Sequence, residues 1–235
     1  MSGNPPSAAL AGPARIAFYD LDGTLYSGNV VTRYAFTARH LPSPARAVLK
    51  TAKLVASIPA LIAIDHRSRR RFNEIFYREY RGLRRDWLEA LSGRLFQEEV
   101  WPKIYPGSKA LVDRDREEGF RLVLVSGGLD FDLGPVARYF GFDDVVANRL
   151  VYENGVATGE IACPVIAEQE KQDALRALCV RYNVDTARSK AYSDSFSDVP
   201  MLEAVGRPFA VNPDRRLRRV ARERGWPILD LKRSN

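Results

Sequence analysis

The sequence predicts an α/β fold: a doubly wound parallel sheet with covered faces and an all-helical unit inserted after its first strand. Three observations lead there. Short apolar runs, each closed by a polar turn, alternate with helical patterns along most of the chain. About a hundred residues separate the first run from the second, far more than one crossover requires. The composition, 46% hydrophobic and 28% charged over 235 residues, is that of a globular chain long enough to bury a core without disulfide or zinc staples.

Taken in order, residues 1–14 are rich in Pro, Gly, Ala and Ser and read as a loose tail, without the basic-then-apolar order of a secretory signal. Ile16-Ala17-Phe18-Tyr19-Asp20 reads as a buried strand closed by the turn residues of DGT. From 30 to 101 the pattern is helical, with Phe72, Ile75, Phe76 and Tyr80 forming one apolar stripe. Within it, Leu54–Ile64 is the most apolar stretch. Eleven uncharged residues around Pro59 are too few to span a bilayer core, which needs roughly 20. The stretch reads as a buried helix or helix–turn; the sharper alternative is an apolar surface that meets lipid or an acyl chain.

Beyond the insertion, 107–118 reads as a helix, Arg121–Val125 as a second strand closed by Ser126-Gly127-Gly128, and 130–140 as a helix. Residues 145–162 look like a hairpin turning at Glu153-Asn154-Gly155. A helix at 167–182, a strand Lys190–Ser193 closed by Asp194, a helix at 197–204 and a strand Pro208–Val211 complete the alternation. The basic run DRRLRRVARERG carries Leu217, Val220 and Ala221 on one stripe and reads as an amphipathic helix packed on the core. The division is therefore a tail at 1–14, a core at 15–29 and 102–235, and a helical cap at 30–101.

Composition also excludes functions. Cys163 and Cys179 cannot form a disulfide framework and read as reduced, buried and structural. With His40 and His66 the only histidines, a His-rich zinc centre and a Ser-His-Asp triad are both disfavoured. The net charge of +7 favours anionic partners, whether phosphate esters, lipid surfaces or nucleic acid. Nucleic acid ranks last, because no interleaved aromatic platform or groove-reading motif accompanies the arginines.

Chemistry collects at the carboxyl ends of parallel strands. There the sequence puts Asp20 and Asp22 after the first strand, Ser126 and Gly127 after the second, and Asp194 and Asp198 after the third. Paired carboxylates without a nearby histidine suit a hard divalent cation, Mg2+ being the usual one with phosphate. The Ser126 hydroxyl and the amides of the following glycines suit phosphate oxygens.

These motifs resemble the haloacid dehalogenase superfamily of phosphohydrolases: FYDLDGTLY the first motif, LVLVSGG the second, Lys171 in EQEKQDAL the third and YSDSFSDVPML the fourth. The helical cap between the first two is similar to the phosphoserine-phosphatase-like branch. The resemblance implies a Rossmann-like core and a Mg2+-dependent phosphomonoester hydrolase working through an aspartyl-phosphate. It implies Asp20 as nucleophile and Asp22 as general acid and base. Thr24, Ser126 and the backbone at Gly127 would hold the phosphoryl group, with Lys171 as a neutralising cation. Mg2+ would bind Asp20, Asp22 (through its carbonyl) and Asp194, with Asp198 in support.

The resemblance thins at Asn29 in YSGNVV, where phosphoserine phosphatases carry a glutamate for the substrate ammonium. The expected substrate is therefore a small or lipid-linked phosphate monoester, with phosphoserine as one alternative and phosphoryl transfer to an alcohol as another. A non-catalytic membrane-docking module is the remote reading. Arg67, Arg69, Arg70 and Arg71 are candidates for an anionic substrate group, against the plainer reading of a solvated face. Asp65 and Glu74 read as helix-cap and surface charges. The expected location is the cytoplasm, with peripheral membrane contact open.

Overall fold

A computed structural model describes residues 15–232; the expected tail at 1–14 lies outside them. The elements are β1 (Ile16–Tyr19), α1 (Val30–Arg39), α2 (Pro44–Arg67), α3 (Arg69–Phe76), α4 (Arg85–Leu95), α5 (Ser108–Glu117), β2 (Arg121–Leu129), α6 (Asp130–Phe140) and β3 (Asp144–Asn148). They continue as β4 (Leu150–Glu153), β5 (Val156–Ile161), α7 (Gln169–Arg181), β6 (Lys190–Ser193), α8 (Val199–Glu203), β7 (Arg207–Val211), α9 (Arg215–Glu223) and β8 (Ile228–Leu229).

Six strands form one parallel sheet in the order β3-β2-β1-β6-β7-β8. All four residues of β1 are buried, which is why it reads as an unbroken apolar run rather than an alternating one. Successive side chains still go to opposite faces. Ala17 and Tyr19 join Leu122, Leu124, Val112 and Phe140 on one side. Ile16 and Phe18 join Val123, Val125, Leu175 and Met201 on the other. The sheet order reverses direction at β1, so the crevice beyond the carboxyl ends of β1, β2 and β6 is where a site should lie.

A third apolar cluster holds the insertion together, with Tyr34, Leu54, Leu61, Phe72, Phe76, Tyr77 and Tyr80 among its members. The hairpin β4–β5 joins it through Leu150 and Ala157. Its backbone is tied there by Ala157 N donating to Leu83 O (2.8 Å) and Arg85 N donating to Gly155 O (2.8 Å).

Several expectations need correction. The hairpin expected from 145 begins only at Leu150, because Asp144–Asn148 pairs with β2 as an edge strand of the main sheet. Strand β2 does not stop at Val125 but continues to Leu129 after a register shift. The two-residue strand β8 escaped notice, being too short to show a period. The Phe72 stripe continues through Tyr77 and Tyr80 as the helix tightens after Phe76, leaving Ile75 exposed. Cys163 is exposed, and only Cys179 is buried. Finally, α2 runs unbroken through Pro59 for 24 residues, and only Leu54 and Leu61 are buried. Two leucines seven apart give one line of contact with the cap interior, so the rest of that apolar stretch faces outward.

Candidate active site

Asp20 is fixed directly after β1 by its backbone N–H, which donates to Tyr192 O (2.9 Å). The chain then turns sharply, with Gly23 at φ +81°, a conformation L side chains rarely adopt. A Cβ at Gly23 would sit 2.2 Å from Asp194 Oδ2, so glycine is also what lets β6's terminal carboxylate approach the turn. Thr24 fills the gap: its hydroxyl lies 3.1 Å from Asp20 Oδ2 and 3.1 Å from Asp194 Oδ1, and accepts from Asp194 N at 3.0 Å.

Lys171, in the first turn of α7, donates to Asp20 Oδ1 and to Asp198 Oδ2, both at 2.7 Å, and is buried. Ser193 donates to Asp198 Oδ2 at 2.7 Å. Burial pushes the Asp20 carboxyl up to about 6 against the pull of Lys171. Burial, then the charges of Asp20 and Asp198, hold Asp194 well above the usual carboxylate range. Lys171 stays protonated, since Asp198 and Asp20 outweigh its own burial.

Asp22 is held differently. Its carboxylate is bound by Arg33 of α1, through NH1 and through NH2 at 3.3 Å to Oδ2. Arg33 is fully buried, also reaches Tyr26 Oη, and donates through Nε to Asp132 Oδ2 at 3.1 Å. Burial raises the Asp132 carboxyl to about 6, against the opposing charge of Arg33. Two carboxylates and a guanidinium thus tie the insertion to the core beside the site.

A cavity of about 80 Å³ opens among these groups. Asp20, Asp22, Gly127, Lys171, Asp194 and Asp198 line it, together with Val30, Arg69 and Asn73 from the insertion. Of the eight residues the sequence singled out, Thr24 and Ser126 alone do not line it. Thr24 bridges the carboxylates from behind. Ser126 is fully buried and accepts from Gly128 N at 3.0 Å, shaping the loop from within. Tyr77 Oη donates to Gly127 O (2.6 Å) and Arg69 N donates to Glu168 Oε1 (2.7 Å), so the insertion is latched to both β2 and the start of α7.

Of the four arginines considered, Arg69 lines this cavity, while Arg70 is paired with Glu74 (3.1 Å) and Glu170 (2.6 Å). The sequence reading missed Arg33, Asn73, Tyr77 and Asp132. Arg33 had a signal: it falls three residues from Val30 and four from Thr37 on the buried stripe of α1, where a charge demands a partner. The other three carried none, because their roles depend on which core groups the cap meets.

The donor set fits a hard divalent cation. Lys171 bridges Asp20 and Asp198 with Asp194 beside them, and burial, with the neighbouring carboxylates adding to it, holds the carboxyls of Asp20 and Asp194 above their usual range. Among the described residues no three acidic, His or Cys side chains are grouped as a metal cage. Asp22 is turned to Arg33 instead. Asp20 and Asp194 offer the one or two carboxylates that Mg2+ takes alongside waters and substrate phosphate.

The inner cavity meets a larger one of about 770 Å³, with Arg69, Ser195 and Ser197 lining both. Its wall carries Arg67, Arg69, Arg215 and Arg216 together with the carboxylates of Asp65, Glu168 and Asp214.

Fold and site together define a doubly wound α/β protein with an acidic, lysine-bridged centre at the carboxyl edge of its sheet, roofed by a helical insertion. The chain belongs to the haloacid dehalogenase-like hydrolase family, which it matches over residues 17–203. It is 35% identical to the inhibition of morphological differentiation protein of Streptomyces azureus, covering 94% of this chain and 80% of that one. It is 30% identical to a phosphoserine phosphatase of Mycobacterium tuberculosis, covering 92% and 70%. A solved structure of unknown function from Bordetella pertussis Tohama I superposes with a TM-score of 0.79 at 27% identity, covering 92% and 98%.

Proposed function

We propose that the protein is a Mg2+-dependent phosphatase acting on a phosphate monoester through an aspartyl-phosphate, with residues 15–29 and 102–235 as its core and 30–101 as its cap. The observation that carries this is the Asp20–Lys171–Asp198 bridge beside Asp194 in a cavity of about 80 Å³. A carboxylate and a phosphate ester repel each other at bonding distance unless cations flank them. Lys171 is one such cation. Mg2+, held by Asp20, Asp194 and the Asp22 carbonyl, supplies the second positive charge when bound.

In the first step a carboxylate oxygen of Asp20 bonds to phosphorus and the ester P–O bond breaks. Asp22, as the acid, gives its proton to the departing alkoxide. In the second, Asp22 takes a proton from water, whose oxygen attacks the same phosphorus and releases inorganic phosphate, restoring Asp20. Arg33 holds the Asp22 carboxylate and must release it for Asp22 to act as the acid, and the backbone at Gly127, which lines the cavity, would receive a phosphoryl oxygen. Asp198 orients Lys171, and Thr24 and Ser126 support the walls.

The substrate is a small or lipid-linked monoester. Phosphoserine is the second reading, favoured by the kinship with a phosphoserine phosphatase. Against it stands Asn29, whose side-chain oxygen caps α1 by accepting from Val31 N (2.9 Å) and Thr32 N (3.1 Å) at an exposed position outside the cavity. The test is a panel of phosphate monoesters with Mg2+ that includes phosphoserine and an alkyl-chain series below micelle formation. Phosphate release from none of them sinks the phosphatase reading. A flat chain-length response with phosphoserine turned over far better removes the lipid-linked one.

A further inference from the structure

From Ala47 to Ile64, α2 carries two charges, Lys50 and Lys53, and no acid. Its inner line, Leu54 and Leu61, is packed into the cap cluster with the aromatic residues of α1 and α3. Its outer side is bare. Val48 is 70% exposed, Leu49 69%, Val55 61%, Ile62 53% and Ile58 38%, with alanines and Pro59 between them. By length and composition α2 is apolar enough to cross a membrane, yet only 17% of its most apolar window is buried. It cannot be wrapped by lipid all round, because one line of it is core. One side is free to lie in the plane of an interface, over a length of roughly 22 Å from Val48 to Ile62 at 1.5 Å per residue.

The charges around this face select its occupant. Arg46 stands at one end and His66 and Arg67 at the other, while Asp65 is already paired with Arg69 at 2.8 Å. In a two-fold pairing of two such helices, antiparallel packing would set Arg46 against His66 and Arg67 of the copy, and no free carboxylate on the face offsets that. An anionic lipid surface meets both requirements, apolar depth under the middle and negative charge under the ends. The basic end of the face is also the rim of the outer cavity, since His66 and Arg67 line it alongside Arg215 and Arg216.

We propose that the outer face of α2 docks the protein flat on an anionic bilayer, with the mouth of the catalytic cavity at the lipid headgroups. The docking goes beyond the reaction assigned above; only its consequence, that a membrane-resident phosphate monoester meets the mouth, rests on that reading.

The test is flotation of the whole chain with vesicles of roughly 7:3 phosphatidylcholine to phosphatidylglycerol, against vesicles of phosphatidylcholine alone. The protein floats with the anionic vesicles, less so as salt is raised. Val55→Asp combined with Ile62→Asp lowers the bound fraction on the order of tenfold, with circular dichroism and turnover of soluble p-nitrophenyl phosphate unchanged. Val48→Asp alone, at the most exposed position, provides the same reading should the double variant misfold. Protein that stays behind with both vesicle types overturns the proposal. So does undiminished binding by the folded variants, or a dimer by light scattering that Val55→Asp dissociates. Because flotation needs no turnover, an inactive protein that floats sinks the phosphatase reading and leaves the docking standing.

Discussion

Among the described residues two lysines are buried, and each sits between two carboxylates at 2.7 Å. Lys171 bridges Asp20 and Asp198; Lys190 bridges Asp115 and Glu118. By pair geometry they are the same device. Around Lys190 the surroundings close the account of charge and hydrogen bonds. Tyr19 and Tyr192 donate to Asp115 Oδ2 at 2.5 and 2.7 Å, and Glu118 reaches solvent. Around Lys171 they do not. Asp194 adds a third carboxylate, Asp20 and Asp194 are pushed toward protonation, and a cavity opens between them. Lys190 starts β6 and Lys171 serves the opposite end, where the sheet's carboxyl ends leave room for a ligand. A buried ion pair is therefore no sign of a site in itself. An unbalanced one beside a void is.

This contrast is open to direct test, and the largest effect falls on Asp20. Asp20→Asn is expected to lower kcat by about 10⁶-fold, as loss of a nucleophile does, while its unfolding curve stays cooperative. Appreciable phosphate release by the folded variant would remove Asp20 from the chemistry. Lys190→Met is expected to behave the opposite way. It leaves Asp115 buried without its cation and costs about 3–5 kcal/mol in denaturant unfolding, with kcat per folded molecule unchanged. A drop in kcat there would mean that the two lysines are coupled across the sheet.

Lys171→Met comes next, with kcat down about 10²–10³-fold from the loss of one charge at the phosphoryl group. Mg2+ sharpens the same contrast. At about a hundred times its Kd it is expected to add about 2.7 kcal/mol to the stability of the wild type and of Lys190→Met, read as a rise in melting temperature. Asp194→Asn should lose that rise, and chelation with EDTA should abolish turnover. A melting temperature indifferent to Mg2+ in the wild type argues against the metal. The smallest effect concerns a residue that serves the fold at the edge of the site. Asn29→Ala is expected to cost about 1 kcal/mol through the lost helix cap and to leave the ratio of phosphoserine to alkyl phosphate turnover unmoved. A shift in that ratio would place Asn29 in the substrate site.

Much of this was legible in the residues. The runs at Ile16, Arg121, Lys190 and Pro208 declared their strands as short, largely apolar runs closed by turn residues, and β1, buried on both faces, is apolar throughout. Asp20, Asp22, Gly127, Lys171, Asp194 and Asp198 are all legible in the sequence, since each sits at a strand or helix terminus that the pattern locates, and all line one cavity. What escaped was relational. Whether Asp144–Asn148 pairs with β2 or extends a hairpin is decided by which neighbour offers free backbone groups. Arg33, Asp132 and Tyr77 acquire their roles only when the cap lies against the core.

By itself the sequence determined the strands at Ile16, Arg121, Lys190 and Pro208, the helical insertion and the chemical character of the strand ends, because hydrophobic period and turn chemistry are local properties. Tertiary structure alone decided three things. It turned the Asp22 carboxylate to Arg33, it set Thr24 and Ser126 behind the cavity rather than in its wall, and it left the apolar side of α2 facing out. Each depends on what one element finds across a gap from another, and a count of apolar residues along a helix does not say which of its faces has a neighbour.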